Sequence, residues 1–221
     1  MEKMPYRPEL EVETFASVTG GAPWQVVSSD WRAGLPVLTS GHVTLRDLRL
    51  SDAPSLLAML NTEEVTRFVS PPPTTVEGFE RFILWSHRQR ADGVYACFAV
   101  VPDGFEHAMG LIQVRQLEPG FGTAEWGFAL GSLFWGTGIF PEAARLVVDF
   151  VFNTLGTHRL EARAAVPNGR GNGALRKLGA VQEGVLRRSL LRNGQYLDQI
   201  LWTILDEDWR LARTGWKPRI H

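Results

Sequence analysis

Residues 130–144, LGSLFWGTGIFPEAA, set Gly136 and Gly138 on a turn between a strand-like run and the longest amphipathic helix of the chain. That arrangement can bind an anion. The first N–H groups of a helix lack intrahelical acceptors and the helix dipole is positive there, so a phosphate is held without any basic side chain. The two glycines permit backbone angles, or a close approach, that a Cβ would obstruct. Pro141 suits a first helical turn, where a missing N–H costs nothing. The same residues also fit an ordinary tight turn, because neither the dinucleotide fingerprint nor the P-loop pattern is present.

Other reactive residue types offer less. The single Cys97 sits in the apolar run 95–101, so it has no disulfide partner and reads as a small core residue in a reducing, cytosolic setting. The five histidines lack ligand-like clustering, and no metal is implied. Lys and Arg number 23 against 24 Asp and Glu, a formal net charge of -1, which gives no global attraction for nucleic acid. A hydrophobic content of 44% with 21% charged residues is that of a globular chain. The first ten residues lack a signal-peptide pattern, and no apolar run approaches the ~20 residues of a membrane span, so a cytoplasmic protein without a membrane partner is expected.

The elements that must position the turn follow from periodicity. Val43, Leu45 and Leu48 mark a short strand, followed by a helix with Leu56, Leu57 and Leu60 capped by Ser51 or Asp52. After Pro71, Pro72 and Pro73, the capping-box spacing of Thr74 and Glu77 opens a helix with Phe79, Phe82 and Ile83 on one face, ending near Gly93. Strands over 95–101, 109–115 and 123–130 form an antiparallel meander. A helix over 139–155, a strand over 158–166, a glycine-rich lead-in to a helix over 174–178, and strands over 181–191 and 196–205 follow. The order βααβββαβαββ predicts an α/β fold of the α+β kind: one central mixed, mostly antiparallel sheet with helices on both faces. Three parts are expected: an extension over 1–40, a domain over 41–210 and a tail over 211–221. The extension carries Trp24 and Trp31 among helix-breaking residues. It is either an arm on its own domain or on a neighbouring subunit, as in a homodimer, or a disordered tail.

Three segments, AEWGFAL at 124–130, FWGTGIFPEA at 134–143 and NGRGNGALRKLGA at 168–180, resemble in order and separation the GNAT superfamily of N-acetyltransferases. The branch resembled is that of the ribosomal-protein N-terminal acetyltransferases RimJ and RimL, over about residues 40 to 210. The resemblance implies acetyl-CoA as co-substrate. It implies that Phe128, Ala129 and Leu130 pair with the pantetheine amides and that Phe134, Trp135, Gly136, Thr137, Gly138 and Ile139 hold the pyrophosphate. The family asparagine falls on Asn168, which also reads as a helix cap or turn residue. Arg170 and Lys177 either reach the phosphates or are solvated helix-face residues.

The chain departs from the family twice: Gly171 stands where a serine near the departing sulfur is usual, and Leu175 where more distant members have tyrosine. Acetyl transfer needs a neutral amine, so a carboxylate near the point of attack assists. The resemblance puts Glu125 in that place, with a surface or salt-bridged glutamate as the plainer reading. Asp198 and Glu161 are weaker candidates, and His158 reads as solvent-exposed. Trp126, Phe134, Trp135 and Trp202 read as core or cofactor wall. The expected activity is acetylation of a primary amine, either a protein N-terminus or a small molecule, by direct attack in a ternary complex. A cofactor-binding regulatory protein with little catalysis is the alternative.

Overall fold

The structure, a computed structural model, describes residues 30–213. Its sheet has eight strands: β1 (Leu38–Ser40), β2 (Val43–Asp47), β3 (Tyr95–Pro102), β4 (Gly110–Gln116), β5 (Thr123–Leu130), β6 (Arg159–Ala165), β7 (Val181–Arg192) and β8 (Gln195–Leu205). They lie in the order β1-β2-β3-β4-β5-β6-β8-β7, antiparallel except for the parallel pair β5 and β6. The helices are α1 (Ala53–Leu60), α2 (Glu63–Thr66), α3 (Val76–Ala91), α4 (Ile139–Asn153), α5 (Gly169–Leu178) and α6 (Asp206–Arg213). No helix among the described residues is long and apolar enough to cross a membrane.

Strand β3 shows why helices cover both faces. All eight of its residues are buried, and the two-residue period of a strand sends alternate side chains to opposite sides. Ala96, Phe98 and Val100 join a core with Val147 and Val151 of α4, Leu160 and Trp202. Tyr95, Cys97, Ala99 and Val101 join a second core with Leu56 of α1 and Phe79 and Ile83 of α3. The expected α/β sheet with helices on both faces is thus the fold observed, and α4 is the crossover that makes β5 and β6 parallel.

Local chemistry shifts several boundaries. Thr75, not Thr74, caps α3, its hydroxyl accepting the Gly78 N–H at 3.0 Å. Asp52 precedes α1 without capping it. Its carboxylate is fully buried and takes two hydrogen bonds from Arg46 at 2.8 Å, with further N–H donors from Arg49 and Ala108 at 2.7 and 3.0 Å. The glycine-rich lead-in is itself the first turn and a half of α5, started by Asn168. Helix α6 occupies part of what reads as a tail: the indole N–H of Trp209 donates to Asp149 at 2.7 Å, docking it on α4.

Within the expected extension, residues 38–40 form β1, paired with β2. Trp31 packs edge-on against Phe121 with ring centres 5.6 Å apart, and the Leu35 N–H donates to Asp47 at 3.0 Å. Trp24 lies outside the described residues.

Candidate active site

The parallel ladder between β5 and β6 is short. It joins Thr123, Ala124 and Glu125 to Arg159, Leu160 and Glu161 and then stops, although both strands continue. Beyond it the strands diverge, so residues 127–130 keep their β4 partners on one edge and have no strand on the other. Backbone amides left open in this way form a slot for a ligand that carries amides of its own.

The slot runs toward the N-terminus of α4. Gly136 and Gly138 have φ of 79° and 94°, left-handed values that favour glycine, and an added Cβ at either would meet nothing within 4 Å. Gly138 begins α4 with no side chain capping it. The first-turn N–H groups of Ile139 and Phe140 therefore face outward without intrahelical acceptors. Pro141 has no N–H to orphan, as its first-turn position requires. The one acidic residue of that turn, Glu142, accepts the His42 N–H at 3.0 Å.

Two side chains fasten the turn. The Thr137 hydroxyl donates to the Phe134 carbonyl at 2.8 Å, and the Trp135 indole N–H donates to the Leu130 carbonyl at 2.9 Å. Leu130 thus ends the slot with its carbonyl already engaged. The Arg170 guanidinium lies 3.8 Å from the Trp135 ring centre, a cation–π contact that brings a positive charge from α5 to the glycine turn. Lys177 is solvent-exposed. Phe128 packs its ring on Phe140, centres 4.3 Å apart, so it offers the slot its backbone and the core its side chain. Phe134 packs edge-on against Phe105 at 5.3 Å.

The slot opens into a cavity of about 560 Å³, in the range of small-molecule sites. Its wall combines Phe68, Phe79 and Phe82 with Gln113, Glu125 and Asn168. The buried Tyr95 hydroxyl donates to Gln113 at 2.5 Å, and burial holds that phenol well above its ordinary pKa, so it stays protonated. Asn168 caps α5, its Oδ1 accepting the Gly171 N–H at 2.9 Å. A Cβ on Gly171 would stand 2.6 Å from the Asn168 amide nitrogen, so a larger residue there requires the Asn168 side chain to shift.

Glu125 lines the cavity and is not a free carboxylate. Arg115 Nε donates to its Oε2 at 2.7 Å with Arg115 Nη2 on the same oxygen, and Arg163 Nε lies 3.5 Å from its Oε1. Glu161 is paired with Arg159 at 2.9 Å, and Asp198 accepts the Arg188 N–H at 2.7 Å; neither is on the cavity wall. His158 is exposed, and Trp126 and Trp202 are buried core residues. Among the described residues, no group of three or more His, Cys, Asp or Glu could hold a metal ion.

Sequence reasoning missed the two arginines and Asn172. Arg115 was within reach of it: β4 alternation puts Gln113 and Arg115 on one face, and the antiparallel register sets Arg115 opposite Glu125. Asn172, 5% exposed, donates to the Ala165 and Asn168 carbonyls at 2.9 Å and accepts the Trp202 indole N–H at 2.9 Å, bolting α5 to β6 and β8. An amide inside a helix is the signal that could have found it, since such a residue needs an outside reason to be there.

Residues 42–181 match the family described as the acetyltransferase (GNAT) domain. The chain belongs to the GNAT acetyltransferase family. It is 30% identical over 179 residues to the "Probable N-acetyltransferase YjcK" of Bacillus subtilis, covering 78% of this chain and 98% of that one. The ribosomal-protein-S5-alanine acetyltransferase of Vibrio fischeri superposes with a TM-score of 0.71 at 24% identity, over 79% of this chain and 98% of that one. RimJ of Mycobacterium smegmatis, in complex with CoA-disulfide, superposes with a TM-score of 0.69 at 22% identity, over 78% and 89%. At those identities the two structures speak to the fold. The GNAT chain is an N-acetyltransferase, as its family match and its sequence relative indicate. Enzymes of the family use acetyl-CoA as co-substrate.

Proposed function

We propose that this GNAT enzyme transfers an acetyl group from acetyl-CoA to a primary amine, with the pantetheine arm between β5 and β6 and the pyrophosphate at the N-terminus of α4. The observation that carries the reading is the interrupted ladder after Glu125, which leads directly into an uncapped helix N-terminus with two positive-φ glycines. The open backbone of Phe128 and the Leu130 N–H, which the β4 register turns toward the slot, pair with the arm, while the Ala129 backbone faces β4. The N–H groups around Gly138 and Ile139 take the phosphate charge, with the Arg170 guanidinium close by. Acetyl-CoA supplies the thioester carbonyl that the amine nitrogen attacks and the thiolate that leaves.

Glu125 faces the amine side of the cavity. A carboxylate has about four acceptor positions; Arg115 and Arg163 take part of them and fix its orientation, leaving a lone pair to accept the amine proton directly or through water. The acceptor is a peptide α-amino group or a small primary amine. The resemblance to RimJ and RimL, and the ribosomal-protein alanine that gives the Vibrio fischeri neighbour its name, support the former. A second reading, a coenzyme A-binding protein with little turnover, draws on Gly171 and Leu175, which bring no hydroxyl to the sulfur. Release of coenzyme A across an amine panel separates the two.

The test of the cofactor site is Gly138→Val. A branched residue at φ 94° distorts the turn. Losing one hydrogen bond to a charged oxygen costs about 1.5–3 kcal/mol, so acetyl-CoA affinity falls by about tenfold or more. Calorimetric titration of the folded variant measures it, and an unchanged Kd contradicts the placement.

A further inference from the structure

The charged residues on the cavity wall are Arg115, Glu125 and Arg163, two cations and one anion, a formal charge of +1 among the described residues. The one carboxylate is already matched by both guanidiniums. Arg115 and Arg163 keep 56% and 38% of their side-chain surface open, and the remaining guanidinium nitrogens of Arg163 have no protein partner among the described residues. An acceptor with a second or third ammonium group meets this excess positive charge and finds no free acid to hold it. Part of the cavity wall is apolar and aromatic, with Phe68, Phe79 and Phe82 and the Pro71 to Pro73 turn.

Resting on the acetyltransferase reading above, we propose that the acceptor site selects an α-amino group flanked by an apolar side chain and an anionic group, and that Arg163 is the residue that rejects polyamines. The amine sits by Glu125, the apolar side chain on the phenylalanine wall, and the anionic group on the open edge of Arg163. Matching charge signs sets specificity chiefly through the penalty on the wrong partner. The anionic group can be the carboxylate of a free amino acid or an acidic second residue of a peptide, and the acceptors below tell these apart.

The experiment measures kcat/KM with acetyl-CoA for L-leucine, for two tripeptide amides that begin with leucine and carry aspartate or lysine second, and for spermidine. The aspartyl peptide exceeds the lysyl peptide by about tenfold, with spermidine lower still; the figure corresponds to one partly screened charge contact. If free leucine matches the aspartyl peptide, the carboxylate source is the amino acid itself. In Arg163→Glu the order of the two peptides reverses, while Arg163→Lys keeps it. Comparing variants on the same acceptors cancels the amines' own pKa values. Acetyl-CoA affinity is the same in all three proteins.

Equal kcat/KM for the two peptides, spermidine at parity, or an Arg163→Glu order like the parent's overturns the inference while leaving the acetyltransferase reading intact. A changed acetyl-CoA Kd in Arg163→Glu overturns it as well, by moving Arg163 to the cofactor. If no amine is acetylated, the enzymatic reading fails. The charge preference is then read from calorimetric binding of the same four compounds, where equal affinities sink it.

Discussion

Glu125→Gln lowers turnover by about 10² to 10⁴-fold, the contribution of a positioned general base, while acetyl-CoA affinity stays within a factor of about two because Glu125 touches no part of the cofactor slot. At neutral pH an α-amino group of pKa near 8 is mostly ammonium, which has no lone pair to attack with. In the proposed mechanism the parent enzyme removes that proton through Glu125. The variant depends on the free-amine fraction in solution, so its rate falls further behind as pH drops. Folding is not the confounder: the Glu125 side chain is only 14% exposed, but the isosteric glutamine still offers an oxygen to Arg115 and Arg163, which at 56% and 38% exposed stay solvated. Rates from pH 6 to 9 by coenzyme A release check this. A variant within threefold of the parent across that range removes Glu125 from the mechanism.

Asp52→Ala destabilises the fold by about 3–5 kcal/mol, because Arg46, 7% exposed, is left as a buried charge without its partner. Total stabilities are about 5–15 kcal/mol, so this one change removes a large share. The cost reaches beyond the pair. Asp52 also accepts the Arg49 and Ala108 N–H groups, and Arg46 donates to the Asp47 and Glu106 carbonyls at 2.8 and 3.1 Å, so the carboxylate ties β2 and the start of α1 to the loop before β4.

Burial raises the Asp52 pKa, but the Arg46 hydrogen bonds and the two backbone donors outweigh it and hold the carboxyl below its ordinary 3.8. A carboxyl depressed by folding contributes stability that is complete above the unfolded value and lost as pH falls through the folded one. Urea unfolding of parent and Asp52→Asn therefore shows its full gap at pH 7 and a narrowing gap as pH is lowered past 3.8. A gap that is constant, or that widens in acid, contradicts the assignment.

Elements that repeat a strong pattern were legible in the chain. The 123–130 strand has the bounds expected, because Ala124, Trp126 and Phe128 alternate with Glu125 and Gly127 between two turn-rich stretches. The strand after it, the glycine turn and α4 were legible for the same reason: a switch from period two to a helical period, punctuated by glycine. Long-range choices were not. Asp52 has the local chemistry of a cap, yet a buried arginine six residues back, on β2, claims it. Asn168 to Gly173 looks like loop by helix propensity, yet the Asn168 cap and the Asn172 bolt to Trp202 make it helix. The glycine turn was legible as an anion site only as one of two readings; what distinguishes it is the early end of the β5 and β6 ladder, a fact of pairing that no local pattern carries. The guanidiniums on Glu125 come from the facing strands β4 and β6, and only the register brings them there.

The central claim is that the open edge of β5 and the turn before α4 are one acetyl-CoA site, and hydrogen–deuterium exchange with and without acetyl-CoA tests it most directly. The claim predicts slowed exchange at residues 127–130 and 136–140, with the outer strands β1 and β7 unchanged. Saturating acetyl-CoA that protects neither segment, or that protects a surface elsewhere, contradicts it.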